Sequence, residues 1–238
     1  MKKSVFIAEK PSVAQEFAKA LKVKTTRHDG YLESENTIVT WCVGHLVTMS
    51  YPEVYDIKYK RWTLETLPFL PGEFKYEVIP AVRKQFEIVS GLLNRADVET
   101  IYVCTDSGRE GEYIYRLVAQ MAGVKGKKEK RVWIDSQTEE EIIRGIKEAK
   151  DLSAYDNLSA SAYLRAKEDY LMGINFSRIL TLRYGNSVSN YLGNKYQVIS
   201  VGRVMTCVLG MVVRREREIR EFVKTPFYRV LGKFSLEG

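Results

Sequence analysis

The stretch that decides the fold is Thr100-Ile-Tyr-Val-Cys-Thr-Asp106, which continues as Ser107-Gly-Arg-Glu-Gly-Glu112. Its first half is rich in β-branched and aromatic residues and predicts a buried strand. Its second half opens a predicted helix over Arg109–Met121. The strand therefore ends on the carboxylate of Asp106, with more acids in the first turn of the helix. Ligands of α/β proteins bind at the carboxyl ends of the strands, so this turn is a candidate site.

A second strand with an acidic end lies at the start of the chain. Residues 4–9, Ser-Val-Phe-Ile-Ala-Glu, are a short apolar run that ends on Glu9, and Lys10-Pro11-Ser12 then favour a helix start. In an open parallel sheet, both strand ends reach the same edge. The sequence therefore brings Glu9, Asp106 and Glu110 toward one place, with Glu112 as a further candidate.

The rest of the chain predicts an α/β domain followed by a helical one. Strands that alternate with helices of ordinary length predict a parallel sheet. After Asp151 the strand pattern stops. The further elements predicted are strands over Thr37–Val43 and Arg131–Asp135, helices over Ala81–Asn94, Ser153–Tyr184 and Ser200–Phe222, an ordered excursion over residues 46–80, and a β segment from Pro226.

Composition excludes several classes of protein. The chain has 238 residues, 45% of them hydrophobic and 28% charged, which is typical of a globular protein. No apolar run approaches the roughly 20 residues of a membrane helix. Three separated cysteines, without a Cys-x-x-Cys pair, and two histidines exclude a zinc module and a disulfide framework. We therefore expect a reduced, cytoplasmic protein without membrane or zinc.

Positive charge is concentrated in the last third of the chain. Residues 1–160 hold 24 basic and 24 acidic side chains, whereas residues 161–238 hold 13 basic and 6 acidic ones. A polyanion such as DNA would bind this basic third first. Solvated helix faces would give the same charge pattern, so charge alone leaves both interpretations open.

The acidic cluster favours a divalent cation. Several carboxylates in one place repel one another unless a positive charge lies between them, and Mg²⁺ with oxygen ligands meets that need. Lys10 and Arg109 add positive charge suited to a phosphate. The alternative is that the acids only cap helix N-termini, which stabilises a helix by about 0.3–1 kcal/mol each. Two acidic strand ends together favour a site.

The pairing of Glu9 with the Asp106 turn resembles the Toprim domain of type IA DNA topoisomerases, and the topoisomerase III group most. Five further segments resemble that family in its own order and cover nearly the whole chain. They are Gly44-His45-Leu46, Tyr59-Lys-Arg61-Trp62 with Leu67-Pro68, Ala162-Tyr-Leu-Arg165 through Asp169, Gly173-Ile-Asn-Phe-Ser177-Arg178, and Ser200-Val-Gly-Arg-Val204 running into residues 212–218.

The resemblance implies an ATP-independent enzyme that cuts one DNA strand, holds the 5′ phosphate on a tyrosine, passes a strand and religates. It implies a Toprim domain over 1–155, a helical DNA-groove domain over 156–222 and the start of a β arch over 223–238. Glu9, Lys10 and Arg109 are then catalytic, and Glu9, Asp106 and Glu110 hold Mg²⁺. The implied contacts to single-stranded DNA are Arg61, Arg165, Asp169, Ser177, Arg178, Ser200, Val201, Gly202, Arg203, Val204 and Met205.

Two departures from the family pattern matter. The family usually has Asp-x-Asp on the acidic turn, but Gly108 occupies the second position here, which removes one expected metal ligand. The family nucleophile lies in a Tyr-x-Arg-(Thr/Ser) motif beyond the Ser-Val-Gly-Arg segment. Tyr163-Leu-Arg165 fits three positions, but Ala166 follows. We therefore expect an N-terminal part of a longer, nucleoid-associated enzyme, inactive by itself.

Other interpretations stay open. The chain could be a non-catalytic module that binds single-stranded nucleic acid, or another Toprim enzyme such as a primase or nuclease. Arg203 could be a surface charge, and Arg165 with Asp169 a surface ion pair worth about 0.3–0.5 kcal/mol. Trp62 could belong to the core, and His45 could be a structural histidine.

Overall fold

Most of the helices pack against one seven-stranded sheet. The computed structural model describes residues 2–193 and 195–236. The strands are β1 Lys3–Ala8, β2 Thr26–His28, β3 Tyr31–Glu33, β4 Thr37–Trp41, β5 Val47–Met49, β6 Tyr76–Val78, β7 Val98–Cys104, β8 Lys128–Arg131 and β9 Lys150–Asp151. The helices are α1 Pro11–Ala20, α2 Arg83–Leu93, α3 Arg109–Ala122, α4 Glu139–Lys147, α5 Asp156–Leu192 and α6 Arg203–Arg220.

The strand order is β2-β3-β4-β1-β7-β8-β9, and β5 pairs with β6 in a separate hairpin. The four central strands run parallel, as the sequence predicts. The edge strands, which the sequence did not predict, add antiparallel pairs: β2, β3 and β9 run antiparallel to their neighbours. Short connections explain this for β2, β3 and β4, since neighbouring strands joined by a tight turn must be antiparallel, whereas β9 follows β8 after α4. Asp29-Gly30, with Gly30 at φ +78°, makes such a turn.

The central strands are buried on both faces. On β1, Val5 and Ile7 point into a core with α2 and α3, whereas Phe6 and Ala8 point into a second core with α1 and α4. Strands covered on both faces consist of continuous apolar residues, which is why residues 4–8 could be recognised. This packing fixes β1 and β7 side by side, with Ala8 opposite Cys104 at their carboxyl ends.

The strand predicted over Arg131–Asp135 lies earlier, at Lys128–Arg131. Its lysines are exposed while Arg131 is buried. The strand therefore contains no apolar run, and its sequence pattern does not predict it. The apolar residues Val132 and Ile134 follow the strand and pack against α1 and α4 instead.

The helical part consists of α5, 37 residues long, and α6, 18 residues long. At 1.5 Å per residue, α5 is about 55 Å long. Every residue of α6 is exposed, and residues 222–236 are exposed without helix or strand. The predicted β arch therefore stays a prediction, with residues 237 and 238 outside the described part. Within the described residues, no helix is both long and apolar enough to cross a membrane.

Candidate nucleic-acid and metal site

Glu9 and Asp106 meet at the ends of the two adjacent strands β1 and β7. The backbone N–H of Asp106 donates a hydrogen bond to Glu9 Oε2 at 3.4 Å. Glu9 is only 7% exposed, whereas Asp106 is exposed. Burial raises the pKa of the Glu9 carboxyl, and the negative charge of Asp106 raises it further. The structure thus holds one buried carboxyl group beside an exposed one.

The backbone of the acidic turn is closed tightly against the start of α3. Thr105 Oγ1 donates to the Gly111 carbonyl at 2.7 Å. A Cβ at Gly111 would lie 2.1 Å from the carbonyl oxygen of Asp106, so this position requires glycine. Gly108 has an extended backbone, and among the described residues no atom lies within 4 Å of the place a Cβ would take. The departure at Gly108 therefore leaves open space beside Asp106.

The buried side chain of Arg131 holds this turn in place by hydrogen bonds, a role that the sequence did not predict. Its side chain is fully buried. Its guanidinium donates to the carbonyls of Val103, Thr105 and Asp106 at 3.0, 2.7 and 2.6 Å. Buried carbonyls need donors, and Arg131 supplies them at the point where β7 ends. The available signal was an arginine at the start of the apolar run that continues as Val132.

Glu112 points away from the acidic edge and pairs with arginines. Its carboxylate is fully buried and accepts from Arg131 Nε at 3.0 Å and Arg116 Nε at 2.8 Å. Arg116 also donates to Asp156 Oδ1 at 2.8 Å. The idea that Glu112 joins the site is therefore wrong. The residue belongs to an ion-pair network that fixes the first turn of α5 to the sheet domain.

Glu110 lies near the pair but is bound to His45. His45 Nε2 is 2.5 Å from Glu110 Oε1, and the Glu110 side chain is 71% exposed. The negative charge of Glu110 contributes least among the causes that affect the pKa of Glu9. Gly44, at φ +83°, precedes His45 and donates its N–H to the Glu9 carbonyl at 3.3 Å. The backbone of Gly44 thus ties this turn to Glu9, and the ring of His45 contacts Glu110.

The donor set suits Mg²⁺ held mostly by water and two carboxylates. Within residues 2–193 and 195–236, no three His, Cys, Asp or Glu side chains converge closely enough to enclose a metal ion. Glu9 and Asp106 remain as an adjacent pair of hard oxygen donors, and a cation there would offset their repulsion. Mg²⁺ commonly binds through one or two carboxylates and keeps several waters. The residues present therefore fit the ion.

Three arginines from separate elements line one cleft beside the acidic turn. Arg109 begins α3, Arg165 lies on α5 and Arg203 begins α6, and together with Gly108, Glu110 and Asp169 they border a space of about 480 Å³. Arg203 Nη2 contacts Asp169 Oδ2 at 2.7 Å. We call this space the arginine cleft. It joins the sheet domain to the helical part, and its three guanidinium groups suit a phosphate backbone.

Ser177 makes a structural contact in this arrangement. Its Oγ accepts from the backbone N–H of Val201 at 2.8 Å, and Thr181 Oγ1 accepts from Ile199 N–H at 2.9 Å. Gly173 and Gly185 lie on the same face, close to the carbonyls of Val201 and Gln197. Small residues spaced by four let the segment before α6 lie against α5. Ser177 therefore helps to hold the segment that delivers Arg203.

Arg178 is also placed differently from the prediction. It is 5% exposed, its guanidinium lies 5.3 Å from the centre of the Trp62 ring, and its Nη1 has no hydrogen-bond partner among the described residues. Burial lowers its pKa, and Glu53 opposes the shift. A surface contact to DNA by Arg178 does not agree with this burial. Its stacking on Trp62 ties the excursion over residues 46–80 to α5.

The remaining predicted contacts are accessible. Lys10 is exposed beside Val43 and Gly44, and Arg61 is exposed after a short 3₁₀ helix over Ile57–Lys60. Ser200, Val204 and Met205 are exposed. Half-buried Gly202 precedes α6 and donates its N–H to Thr206 Oγ1 at 3.3 Å. The predicted contacts of these residues with DNA and phosphate therefore stay predictions.

Two tyrosines match part of the family motif, and the ring of each packs against another aromatic ring. Tyr163 packs edge-on against Tyr113, its hydroxyl donates to Gln120, and burial raises its pKa to about 12. Tyr59-Lys-Arg61 also fits three positions of the family motif, a match that sequence reasoning missed, but its ring packs against Phe69. The raised pKa makes the Tyr163 phenol a poorer nucleophile than an exposed tyrosine.

Comparison with known families agrees with this geometry. The family model of the Toprim domain matches residues 4–136, more than half of the chain. The family model described as DNA topoisomerase matches residues 153–238. The chain therefore belongs to the Toprim domain family, and its helical part matches the topoisomerase family.

The particular proteins that the chain resembles are named DNA topoisomerase 3. Identity over 230 residues is 44% to the protein of Bacillus thuringiensis (strain Al Hakam), 42% to that of Shouchella clausii (strain KSM-K16) and 40% to that of Bacillus subtilis (strain 168). Each match covers 97% of this chain and 30% of the relative. The predicted resemblance to the topoisomerase III group is confirmed, and the chain spans about a third of its relatives' length.

Proposed function

We propose that this chain is the N-terminal part of an ATP-independent type IA DNA topoisomerase that acts on single-stranded DNA. The observation that carries the proposal is the arginine cleft. There, Arg109 of the Toprim part lines one space with Arg165 and Arg203 of the topoisomerase part, and Gly108 and Glu110 of the acidic turn line the same space. Such an enzyme would work on the chromosome, in the cytoplasm and associated with the nucleoid.

The side chains at this edge suit phosphoryl transfer. Lys10 and Arg109 would stabilise the charge that develops on a phosphate under attack. Glu9 keeps its proton to higher pH than an exposed glutamate, so it is suited to protonate a leaving 3′ oxygen and to take the proton back on religation. Glu9 and Asp106 would hold Mg²⁺, which when bound supplies positive charge next to the phosphate.

The attacking tyrosine, in this proposal, is supplied by residues other than these 238. None of the 15 tyrosines lies in a Tyr-x-Arg-(Thr/Ser) motif. The chain should therefore bind single-stranded DNA without relaxing a supercoiled plasmid, because a cut end that is not held covalently would swivel away before religation.

A plasmid relaxation assay with Mg²⁺, run beside a gel shift on a single-stranded oligonucleotide, tests both parts. Binding without relaxation is the expected result. Relaxation by the purified chain would show that the nucleophile lies within it, and Tyr163→Phe and Tyr59→Phe would identify it. Absence of binding would exclude the DNA-groove assignment.

Arg203 gives the sharper test of the groove. Arg203→Ala should weaken binding of single-stranded DNA whatever its sequence, and should lower the salt slope by about one phosphate contact. Arg220→Ala, at the far end of the same helix, is the matched control. Equal losses in both variants would mean that Arg203 is an ordinary surface charge.

The second candidate function is a non-catalytic module that binds single-stranded nucleic acid. The lack of a tyrosine motif favours it. A reading frame that continues beyond residue 238 and encodes Tyr-x-Arg would decide for the topoisomerase, whereas a natural stop there would decide for the module. A primase or nuclease is disfavoured by the topoisomerase match over residues 153–238.

A further inference from the structure

We infer that Thr181 is a positioning residue, which sets the register of the segment before α6 along α5 and so places Arg203 at the arginine cleft. Residues 197–202 form this segment, which we call the strap. The value of the placement for DNA binding rests on the proposed function. The register itself does not depend on that function.

The strap lies along α5 with every second residue turned toward the helix. Gln197, Ile199 and Val201 are half-buried, whereas Val198 and Ser200 are exposed. This alternation is the period of an extended chain that is covered on one side. Among the described residues no strand pairs with the strap, so its inward backbone groups need partners on α5.

Thr181 supplies both partners to one residue of the strap. Its Oγ1 accepts a hydrogen bond from the N–H of Ile199 at 2.9 Å and donates one to the carbonyl of Ile199 at 3.4 Å. Thr181 is only 4% exposed, although its neighbours Leu182 and Arg183 are exposed. The strap is therefore what covers this side of the helix.

The contacts between α5 and the strap repeat with a fixed step. They are Gly185 against the Gln197 carbonyl, Thr181 with Ile199, and Ser177 with the N–H of Val201. Each step moves four residues back along α5 and two residues forward along the strap. Four helical residues rise about 6.0 Å and two extended residues about 6.6 Å, so the two repeats match.

This register decides where Arg203 lies. The next step of the series brings Arg203 level with Gly173, and both residues border one space at the start of α6. One turn further along α5, Asp169 Oδ2 contacts the Arg203 guanidinium at 2.7 Å. A slip of the strap by one residue would move Arg203 by about 3.3 Å and turn the exposed side chains of the strap toward α5.

Binding of a fluorescent single-stranded oligothymidylate to the 238-residue chain tests the placement through a double-mutant cycle. Thr181→Val keeps the shape but removes both hydrogen bonds, and should weaken binding about fivefold and lower the salt slope by about one phosphate contact. In the Arg203→Ala background the same substitution should cause no further loss. Thr181→Ser should retain the affinity, and Ser187→Ala, at an exposed position of α5, is the matched control.

Cys207 allows a second measurement that needs no DNA. It lies near the start of α6 and is exposed, whereas Cys42 and Cys104 are buried, so a thiol-specific spin label attaches there. By electron paramagnetic resonance, the label should be more mobile in Thr181→Val and unchanged in Thr181→Ser. Should Thr181→Val fail to fold, Gly185→Leu keeps the hydroxyl, forces a side chain against the strap, and should also mobilise the label.

The outcomes separate this inference from the proposed function. A loss of binding confined to chains that carry Arg203, together with a more mobile label, would support it. Unchanged binding by Thr181→Val, a loss of equal size in both backgrounds, or an unchanged label would each overturn it. If the unmodified chain bound no oligonucleotide, the DNA-groove assignment would fall, and the label would still decide whether Thr181 sets the register.

Discussion

Glu9 is a carboxyl whose surroundings disfavour its charge, and this has a consequence for stability. Burial and the nearby Asp106 carboxylate raise its pKa in the folded chain above the value of about 4.3 expected in the unfolded chain. The folded state therefore holds the Glu9 proton more tightly than the unfolded state. Its contribution to stability is fully present at low pH and is lost as the pH rises from about 4.3 through the folded pKa.

Glu9→Gln should therefore be more stable than the unmodified chain at pH 7.5, because glutamine needs no charge and still accepts the Asp106 N–H. The difference in free energy of unfolding should vanish below about pH 4, where both side chains are neutral. Urea unfolding at several pH values measures it. A difference that is the same at every pH would show that packing, and not ionisation, separates the two proteins.

Gly108 is the residue where the chain departs from its family, and the structure leaves room to reverse the change. Its backbone is extended and the space beside it is open, so Gly108→Asp should fold normally. A third carboxylate next to Asp106 should tighten Mg²⁺ binding, measured by titration calorimetry, by about tenfold. Gly108→Asn, which adds similar volume without charge, is the control. Equal affinity for all three proteins would remove position 108 from the site.

At the scale of elements, the middle of α5 holds two other segments in place by hydrogen bonds. Asn175 Oδ1 accepts from the N–H of Phe69 at 2.6 Å, and its Nδ2 donates to the Phe69 carbonyl at 2.9 Å. Tyr170 donates to the Ser50 carbonyl at 2.6 Å. One helix thus holds the excursion through Asn175 and the segment before α6 through Ser177. These contacts give the Gly-Ile-Asn-Phe-Ser-Arg motif a structural role.

Asn175→Ala should lower the free energy of unfolding by about 1–3 kcal/mol, because it leaves the Phe69 N–H without its partner in a partly buried place. It should also expose the excursion to limited proteolysis. Asn186→Ala, at an exposed position of the same helix, should change stability by less than about 0.5 kcal/mol. Equal effects of the two substitutions would mean that the hydrogen bonds between Asn175 and Phe69 contribute nothing specific to stability.

How far sequence reasoning reached differs between elements for physical reasons. The ends of β1 and β7 could be placed because continuous apolar runs mark strands buried on both faces. Arg131, Asn175 and Ser177 could not be assigned, because each acts on the backbone of a residue distant in sequence. Their spacing identifies the helix or strand that carries them but not the carbonyl or N–H they reach. The surroundings of Arg178 are also set by a residue distant in sequence, since only the fold shows the Trp62 ring next to its guanidinium.

At the scale of the whole molecule, the two candidate binding features adjoin. The arginine cleft includes Gly108 and Glu110 of the acidic turn, so a DNA backbone in the cleft would lie next to the Glu9–Asp106 pair. A bound cation there would reduce the repulsion between these carboxylates and a phosphate. Interaction between the two sites must be reciprocal, because it is a single coupling free energy.

Mg²⁺ and a single-stranded oligonucleotide should therefore bind with positive coupling. At constant ionic strength, saturating Mg²⁺ should strengthen oligonucleotide binding by about fivefold, and the oligonucleotide should strengthen Mg²⁺ binding by the same factor. Without compensation of ionic strength, Mg²⁺ would weaken binding by competing for phosphates, so the matched salt is essential. Glu9→Gln with Asp106→Asn removes the cation site while leaving the three arginines, and should show no coupling. If Mg²⁺ weakened binding equally in both proteins, the cation would be acting only as a counterion, and the acidic edge and the arginine cleft would be independent sites.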